Sequence, residues 1–234
     1  MKVDVWSDVV CPWCFVGLAN LDVALEGFGH ADEVDVVLHS FQLDPRARTR
    51  TPEENVAGIA QKYGSSVGAI KARQAHIISL GAERGIDFRF DQQWGGNTFD
   101  AHRLLHLALD RGVQRQLKTR LGRATFTDGD PIGDHDTLRK ASADVGLDPQ
   151  EVDDVLAGDA YAADVLSDIA AAHQMDVTGV PFFLVDGRLA LSGAQPPELL
   201  GKVLQRAWDE SHPTIERVDG AGGAEECGPD GCDL

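Results

Sequence analysis

The sequence predicts an α/β fold in which a β-α-β unit at the beginning and a β-β-α unit at the end enclose a large, all-helical insertion. Three patterns predict it: alternating apolar residues in short runs at both ends, helical periodicity through the middle, and a tight-turn dipeptide between the last two runs. With 234 residues, 43% of them hydrophobic, the chain can bury a full core. We expect a core formed by residues 1–44 and 176–210, an insertion at 45–175, and a flexible C-terminal tail at 211–234.

The first unit begins with residues 2–7, whose alternation is typical of a strand, and residues 34–39 form a second strand. The segment from Pro12 to Gly29 is predicted to be a helix, because the first helical turn tolerates proline and Gly27 or Gly29 can end it. A crossover of this kind is almost always right-handed, so the two strands should be parallel.

The middle of the chain is rich in Ala, Leu, Arg and Gln, with one weak strand candidate at residues 87–90. Helices are predicted near residues 52–63, 65–84, 98–122, 134–145, 149–157 and 160–174. The acidic stretch at 128–136 is similar to the start of a calcium-binding loop. We interpret it as a turn and helix cap, because Ile132 and Arg139 stand where such a loop needs oxygen ligands.

Strand patterns return at residues 182–185 and 188–191, separated by Asp186-Gly187, a dipeptide typical of hairpin turns. These two strands should be antiparallel neighbours. Pro196-Pro197 then begins a helix that is expected to run to Trp208 with a stripe of Leu and Val.

The charge balance excludes several classes of partner. The chain has 21 Lys+Arg against 38 Asp+Glu, a formal net charge of −17, whereas binding to nucleic acid or to an anionic membrane needs clustered basic residues.

The first residues lack the basic and apolar stretches of a secretory signal, so a cytoplasmic protein is expected. Monomer and homodimer both remain open.

The most informative motif is Cys11-Pro12-Trp13-Cys14, between the first predicted strand and the first predicted helix. Unpaired N–H groups and the macrodipole at a helix N-terminus favour a thiolate, so we expect Cys11 to be the attacking sulfur. Cys14, one helical turn on, is expected to be the resolving thiol, and Trp13 to flank the site. The alternative, half of a zinc site, is disfavoured because no second ligand pair lies nearby at zinc-knuckle spacing.

A second motif, Thr178-Gly-Val-Pro181, precedes the third predicted strand. A trans proline there would remove a donor from the strand ladder without obvious gain. A cis Val180–Pro181 bond would instead turn the chain sharply and expose the backbone of Val180 beside the cysteines.

Together, these motifs resemble the DsbA-like branch of the thioredoxin superfamily, most closely its FrnE-type cytoplasmic members. The resemblance covers about residues 2–208, and three further stretches carry it: Trp6-Ser-Asp-Val-Val-Cys11, Asn97-Thr-Phe-Asp-Ala-His-Arg103 and Leu191-Ser-Gly-Ala-Gln-Pro196. It implies a thioredoxin fold with a helical insertion, Cys11 as nucleophile and Cys14 as resolving cysteine. It also implies that Pro181 is a cis-proline facing the disulfide and that the Val180 backbone binds an extended substrate.

The resemblance further implies that Asn97, His102 and Arg103 border the cleft, with His102 as a substrate-binding residue. From the residues alone, His102 and His106 are four apart on a predicted helix and could share a face as metal ligands. A structural or surface role is favoured for both, because no third ligand is evident. Asp8 either influences the thiols or is a solvated loop acid.

A second cysteine pair, Cys227-Gly-Pro-Asp-Gly-Cys232, spans a turn in the predicted tail and could close into a small disulfide ring. The leading hypothesis is an accessory redox pair that exchanges with Cys11 and Cys14, and a similar pair occurs in some FrnE-type proteins. An independent protective disulfide and adventitious metal binding are the alternatives.

We therefore expect a thiol-disulfide oxidoreductase or isomerase with no cofactor besides its redox-active disulfide. Its partners would be protein or small-molecule disulfides and dithiols, with glutathione or another low-molecular-weight thiol as co-substrate. One alternative is a glutathione-dependent transferase or isomerase of the kappa-class or 2-hydroxychromene-2-carboxylate isomerase type, which resemble this fold but generally lack the second cysteine. Another is a chaperone-like binding module. Retention of both Cys11 and Cys14 favours dithiol chemistry.

Overall fold

A four-stranded mixed sheet organises the computed structural model, which describes residues 1–213. The strands lie in the order β2-β1-β3-β4, with β1 parallel to β2 and antiparallel to β3, and with β3 antiparallel to β4. Their bounds are β1 Lys2–Ser7, β2 Asp35–Ser40, β3 Phe182–Val185 and β4 Leu189–Ser192. The predicted α/β class, the parallel first pair and the antiparallel hairpin are confirmed.

Within residues 1–213, nine α-helices accompany the sheet, and seven of them, α2 to α8, lie between β2 and β3. Their bounds are α1 Pro12–Glu26, α2 Pro52–Lys62, α3 Val67–Ala82, α4 Phe99–Asp110, α5 Gln114–Arg123, α6 His135–Asp144, α7 Pro149–Ala157, α8 Ala162–Gln174 and α9 Pro197–Ser211. In this part of the chain, no helix is both long and apolar enough to cross a membrane.

The two faces of the sheet pack against different helices because side chains alternate along each strand. Val3 and Val5 of β1 face α1 and α9, where they join Leu21 and Leu204 in one buried cluster. Trp6, on the opposite face of β1, packs in a second cluster with residues near the end of α8. The helical insertion has its own apolar core, built mainly from α4 to α7.

The outer edge of β2 is closed by side chains from the insertion. The Gln114 side chain accepts a hydrogen bond from the Leu38 N–H at 2.9 Å and donates one to the Leu38 carbonyl at 2.8 Å. The Asp168 carboxylate accepts from the Ser40 N–H at 2.8 Å. These bonds satisfy an edge that would otherwise be free to pair with another strand.

The predicted single helix at 98–122 is wrong. It is divided into α4 and α5 by a turn in which Gly112 adopts a φ of 71°, a conformation that ends a helix and favours glycine. A single π-helical turn, Ala124–Asp128, follows α5. The strand candidate at residues 87–90 is also wrong, because this segment is an irregular connection whose Arg89 N–H donates to the Phe126 carbonyl.

Other differences concern element ends. Helix α1 stops at Glu26, with Gly27 as its C-cap, so the predicted extension to Gly29 is wrong. Helix α9 continues to Ser211, three residues beyond its predicted end. The turn-and-cap interpretation of the acidic stretch is confirmed, because the Asp134 side chain caps α6 by accepting from the Asp136 N–H.

Candidate active site

Cys11 and Cys14 lie at the N-terminus of α1, as the sequence predicts. Cys11 is the N-cap residue in an extended conformation, and Pro12 occupies the first turn, where its missing N–H costs no helical hydrogen bond. The Cys14 N–H donates to the Cys11 carbonyl at 3.1 Å. Cys11 is 4% exposed and Cys14 is fully buried, and both are free thiols. Only the first of the two sulfurs is therefore placed to meet a partner.

The Val180–Pro181 segment faces the first cysteine. Its peptide bond is cis, as expected, and the Cys11 Sγ lies 3.5 Å from the Val180 carbonyl oxygen. Gly17 of α1 permits the close approach: a Cβ at this position would come within 2.9 Å of Pro181 Cγ. The Cys11–Cys14 motif and the Val180–Pro181 segment, far apart in the sequence, are therefore in contact. Gly17 leaves the space that this contact needs.

Asp8 is buried below the dithiol, so the alternative of a solvated loop acid is wrong. Its carboxylate accepts from the N–H groups of Val9 at 2.7 Å and Leu43 at 2.8 Å, and lies 3.2 Å from His102 Nε2. Burial raises the pKa of Asp8, but the hydrogen bond and charge of His102, the Leu43 N–H and the Lys118 charge together hold it below its usual range. We conclude that Asp8 is a buried carboxylate.

Lys118 of α5 is the second buried charge near the thiols. Its side chain is 1% exposed, its Nζ has no hydrogen-bond partner among residues 1–213, and it lies 5.1 Å from the centre of the Phe15 ring. Burial lowers the pKa of Lys118, while the charges of Cys14, Asp8 and Cys11 act in the opposite direction.

Cys14 is strongly affected by this environment. Burial raises the pKa of the Cys14 thiol, as do its hydrogen bond to Cys11 and the charge of Cys11. The Lys118 charge lowers the Cys14 pKa. The charge of the buried Lys118 thus partly offsets the cost of forming a thiolate at Cys14.

The implied substrate-binding role of His102 is corrected by the structure. Its side chain is 1% exposed and lies behind Asp8, so it cannot touch a substrate directly. Arg103 is also buried, pairs with Asp100 at 2.9 Å and donates to the carbonyl of Ala160 at 2.8 Å. It therefore joins parts of the insertion instead of bordering a cleft.

Asn97 binds backbone groups, accepting from the Phe99 N–H at 2.9 Å and donating to the Pro45 carbonyl at 2.9 Å. His106 lies 3.0 Å from Asp168, whereas His102 pairs with Asp8. The shared metal-binding face considered for the two histidines is therefore not formed. In residues 1–213, no group of three or more His, Cys, Asp or Glu side chains could hold a metal ion.

A cleft of about 800 Å³ opens beside Cys11 and Trp13, between the loop after β2 and helices α2 and α3. Trp13 is 37% exposed at its rim. Cys227 and Cys232 lie outside the described residues.

Lys118 is the functional candidate that the sequence analysis missed. The buried face of α5 consists of Gln114, Leu117, Lys118, Leu121 and Gly122, which is helical spacing. A lysine on the apolar face of a predicted helix was the available signal, but nothing in the linear pattern places that face next to the N-terminus of α1.

Comparisons with known proteins agree with the fold. A family model described as a DSBA-like thioredoxin domain matches residues 2–205. The chain is similar to a solved structure described as a probable DsbA oxidoreductase from Streptomyces coelicolor, with 39% identity, a TM-score of 0.85, and coverage of 100% of this chain and 99% of that one.

Two further matches are more distant. The protein YwbO of Bacillus subtilis is 26% identical over 205 residues, which are 87% of this chain and 96% of that protein. A 2-hydroxychromene-2-carboxylate isomerase structure has a TM-score of 0.65 at 14% identity, covering 90% of this chain and 98% of that one. At such low identity, the second match shows a common fold alone.

Proposed function

The chain belongs to the family of DSBA-like thioredoxin domains, and from this premise we propose that it is a thiol-disulfide oxidoreductase or isomerase that acts through Cys11 and Cys14. The observation that carries the proposal is the position of the two thiols. Cys11 is the N-cap of α1 and Cys14 lies in its first turn, and the Cys11 sulfur faces the Val180 carbonyl at 3.5 Å. A substrate disulfide can approach Cys11 from the adjoining cleft.

In the reducing direction, the Cys11 thiolate attacks one sulfur of a substrate disulfide. A mixed disulfide forms between Cys11 and that sulfur, and the other substrate sulfur leaves as a thiolate. The Cys14 thiolate then attacks Cys11 Sγ, releasing the second substrate thiolate and leaving a Cys11–Cys14 disulfide. The substrate gains two electrons and the protein loses two, and the reverse sequence oxidises a substrate dithiol.

The burial of Cys14 supports different tasks for the two thiols. A fully buried thiol with a raised pKa cannot attack a protein disulfide in solution. It can attack the sulfur of Cys11, one helical turn away. The Val180 backbone would bind an extended substrate by strand-like hydrogen bonds, with Pro181 and Trp13 on either side of the reacting sulfurs.

The second candidate function is a glutathione-dependent transferase or isomerase. The fold shared with a 2-hydroxychromene-2-carboxylate isomerase is its support. The second cysteine argues against it, because such chemistry needs only one nucleophile or hydroxyl at the helix N-terminus. In our proposal, glutathione or another small thiol is a co-substrate that restores the dithiol, and no bound cofactor is needed.

A trapping experiment tests the proposal. With insulin as the disulfide substrate and Cys227→Ser/Cys232→Ser as the background, so that no tail thiol can form or resolve an adduct, Cys14→Ser should accumulate a covalent adduct at Cys11, because the resolving thiol is missing. Cys11→Ser, the matched control, should form no adduct and lose activity. An adduct in neither variant would contradict dithiol exchange. Glutathione conjugation that survives in Cys14→Ser would favour the transferase.

For the tail pair we propose an accessory role, in which Cys227 and Cys232 exchange electrons with the Cys11–Cys14 pair by thiolate attack. The double variant Cys227→Ser/Cys232→Ser should then slow recycling of the enzyme while leaving a single turnover unchanged. Multiple-turnover rates equal to those of the wild type with several substrates would contradict this role.

A further inference from the structure

The cleft beside Cys11 is basic in a strongly acidic protein. Among the lining residues within 1–213, five side chains carry a positive charge and Asp44 is the one carboxylate. The five are Arg46, Arg48, Arg50, Lys62 and Arg73. Because acidic residues outnumber basic ones by 38 to 21 in the whole chain, a basic lining at the reactive cysteine runs against the bulk composition.

These arginines differ from the others in their pairing. Nine of the fourteen arginines in residues 1–213 form ion pairs with Asp or Glu side chains. Of the five that form none in this part of the chain, four line the cleft and the fifth, Arg84, donates to the Asn20 side chain at 2.7 Å. Within residues 1–213, no carboxylate occupies the guanidinium groups of the cleft, and such groups bind carboxylates of another molecule well.

The floor of the cleft is apolar. Ile70, Ile77 and Phe90 are buried in it, and the rings of Trp13 and Tyr63 at its rim are 37% and 58% exposed. A small, polar thiol would leave this apolar surface in water. A polypeptide with apolar and acidic side chains on either side of its cysteine would cover the apolar surface and pair with the arginines at the same time.

We propose that this cleft selects protein substrates whose reactive cysteine is flanked by acidic residues. The inference rests on the proposed thiol-disulfide exchange and names its substrate class. Arg48 comes from the loop after β2 and Arg73 from helix α3, so the cleft presents cations from two separate elements to an extended acidic segment. The positive charges of the cleft thus attract acidic segments, whereas the net negative charge of the chain repels anions elsewhere.

The test compares two short peptides, each a symmetric disulfide of a single-cysteine sequence with apolar and Glu residues around the cysteine. The second peptide has Gln in place of each Glu, so it differs in charge alone. At low salt, the reduced wild-type protein should react about tenfold faster with the Glu peptide, and added salt should remove much of this preference.

The variants separate the cleft from general charge effects. Arg48→Gln/Arg73→Gln should lose most of the preference for the Glu peptide, so that its rates with the two peptides become similar. The matched control is Arg123→Gln/Lys202→Gln, which removes the same charge from exposed positions outside the cleft and should keep the full preference.

The outcomes distinguish this inference from the proposed function. Equal rates with both peptides, or the same preference in the cleft variant as in the wild type, would overturn the acidic-substrate inference and leave thiol-disulfide exchange intact. A cleft variant that slows reaction with glutathione disulfide but not with the Glu peptide would overturn it in favour of a small anionic thiol. No exchange with any disulfide would overturn both.

Discussion

Lys118 carries an ammonium group into the interior, where it has no hydrogen-bond partner among residues 1–213. A buried, unpaired charge is costly, and its usual explanation is a function at a nearby site. Here the nearby groups are Cys14, Asp8 and Cys11, and each of them favours the charged form of Lys118. We infer that Lys118 is a positioning residue that acts on the dithiol through its charge.

Lys118→Met tests this role with a side chain of similar length and no charge. Without the cation the pKa of Cys14 should rise further, and each unit of rise reduces its thiolate about tenfold near neutral pH. The mixed disulfide on Cys11 should therefore persist longer than in the wild type, measured by acid quenching and mass spectrometry.

Stability supplies the second readout for Lys118→Met. Removing a buried cation that has no hydrogen-bond partner among the described residues relieves the cost of burying it, so the free energy of unfolding of the reduced protein should not fall. Lys202→Met, at an exposed position, is the control and should change neither quantity. An unchanged lifetime of the mixed disulfide in Lys118→Met would contradict the positioning role.

At the scale of elements, the approach of α5 to α1 brings Lys118 to the active site. Gly122 permits it, because a Cβ there would lie 2.1 Å from Phe15 Cε1, an impossible contact with a ring packed against Phe126. Phe15 directly follows Cys14, so the packing of α5 on this ring also fixes the first turn of α1.

Gly122→Ala should lower the free energy of unfolding by roughly 1–3 kcal/mol, because the added methyl overpacks the contact with Phe15. Gly201→Ala, in the open interior of α9, is the matched control: nothing lies within 4 Å of its added Cβ. It should raise stability by about 0.5–1 kcal/mol. Urea unfolding of both variants checks the two signs, and equal stability of Gly122→Ala and the wild type would contradict the close approach.

Local patterns were sufficient for elements whose ends carry local signals. The strands lie within one residue of their predicted positions because turn residues flank their alternating runs, and Pro12 marks the first residue of α1. The break between α4 and α5 was missed because a glycine such as Gly112 is also tolerated inside helices. The basic cleft and Lys118 depend on how α2, α3 and α5 pack around the first helix, and no local pattern encodes such distances.

At the scale of the whole molecule, a charged network joins the insertion to the sheet. His39 of β2 lies 2.7 Å from Asp168 of α8 and 2.7 Å from Asp4 of β1. His106 of α4 is 3.0 Å from Asp168, and Lys2 is 2.7 Å from Asp4. Two histidines and two carboxylates thus connect four elements across the boundary between the insertion and the sheet.

The network should make stability depend on pH in two windows. Burial lowers the pKa of His39, but Asp168 and Asp4 together raise it above its usual 6.5, so its contribution is complete below pH 6.5 and is lost as pH rises through the higher folded value. Burial raises the pKa of Asp168, but His106, His39 and the Ser40 N–H together lower it below its usual 3.8. Its contribution is complete above that value and is lost as pH falls through the lower folded one.

The variant His39→Gln should therefore be less stable than the wild type by about 2 kcal/mol near pH 5.5, since hydrogen bonds to charged groups are removed. The difference should shrink at a second, higher pH, because the stabilisation is lost as pH rises through the raised folded pKa of His39. Chemical unfolding at the two pH values measures this, and a difference that does not change with pH would show that His39 acts through packing on Trp6 alone.

A redox titration of Cys227→Ser/Cys232→Ser tests the central claim most directly, because this variant leaves Cys11 and Cys14 as its only cysteines. Tryptophan fluorescence follows the titration, and mass spectrometry after thiol trapping identifies the products. The account predicts one reversible two-electron transition to a species lighter by two hydrogens, a Cys11–Cys14 disulfide whose potential gives the favoured direction of exchange. A stable adduct of a small thiol on Cys11, or no reaction, would contradict it.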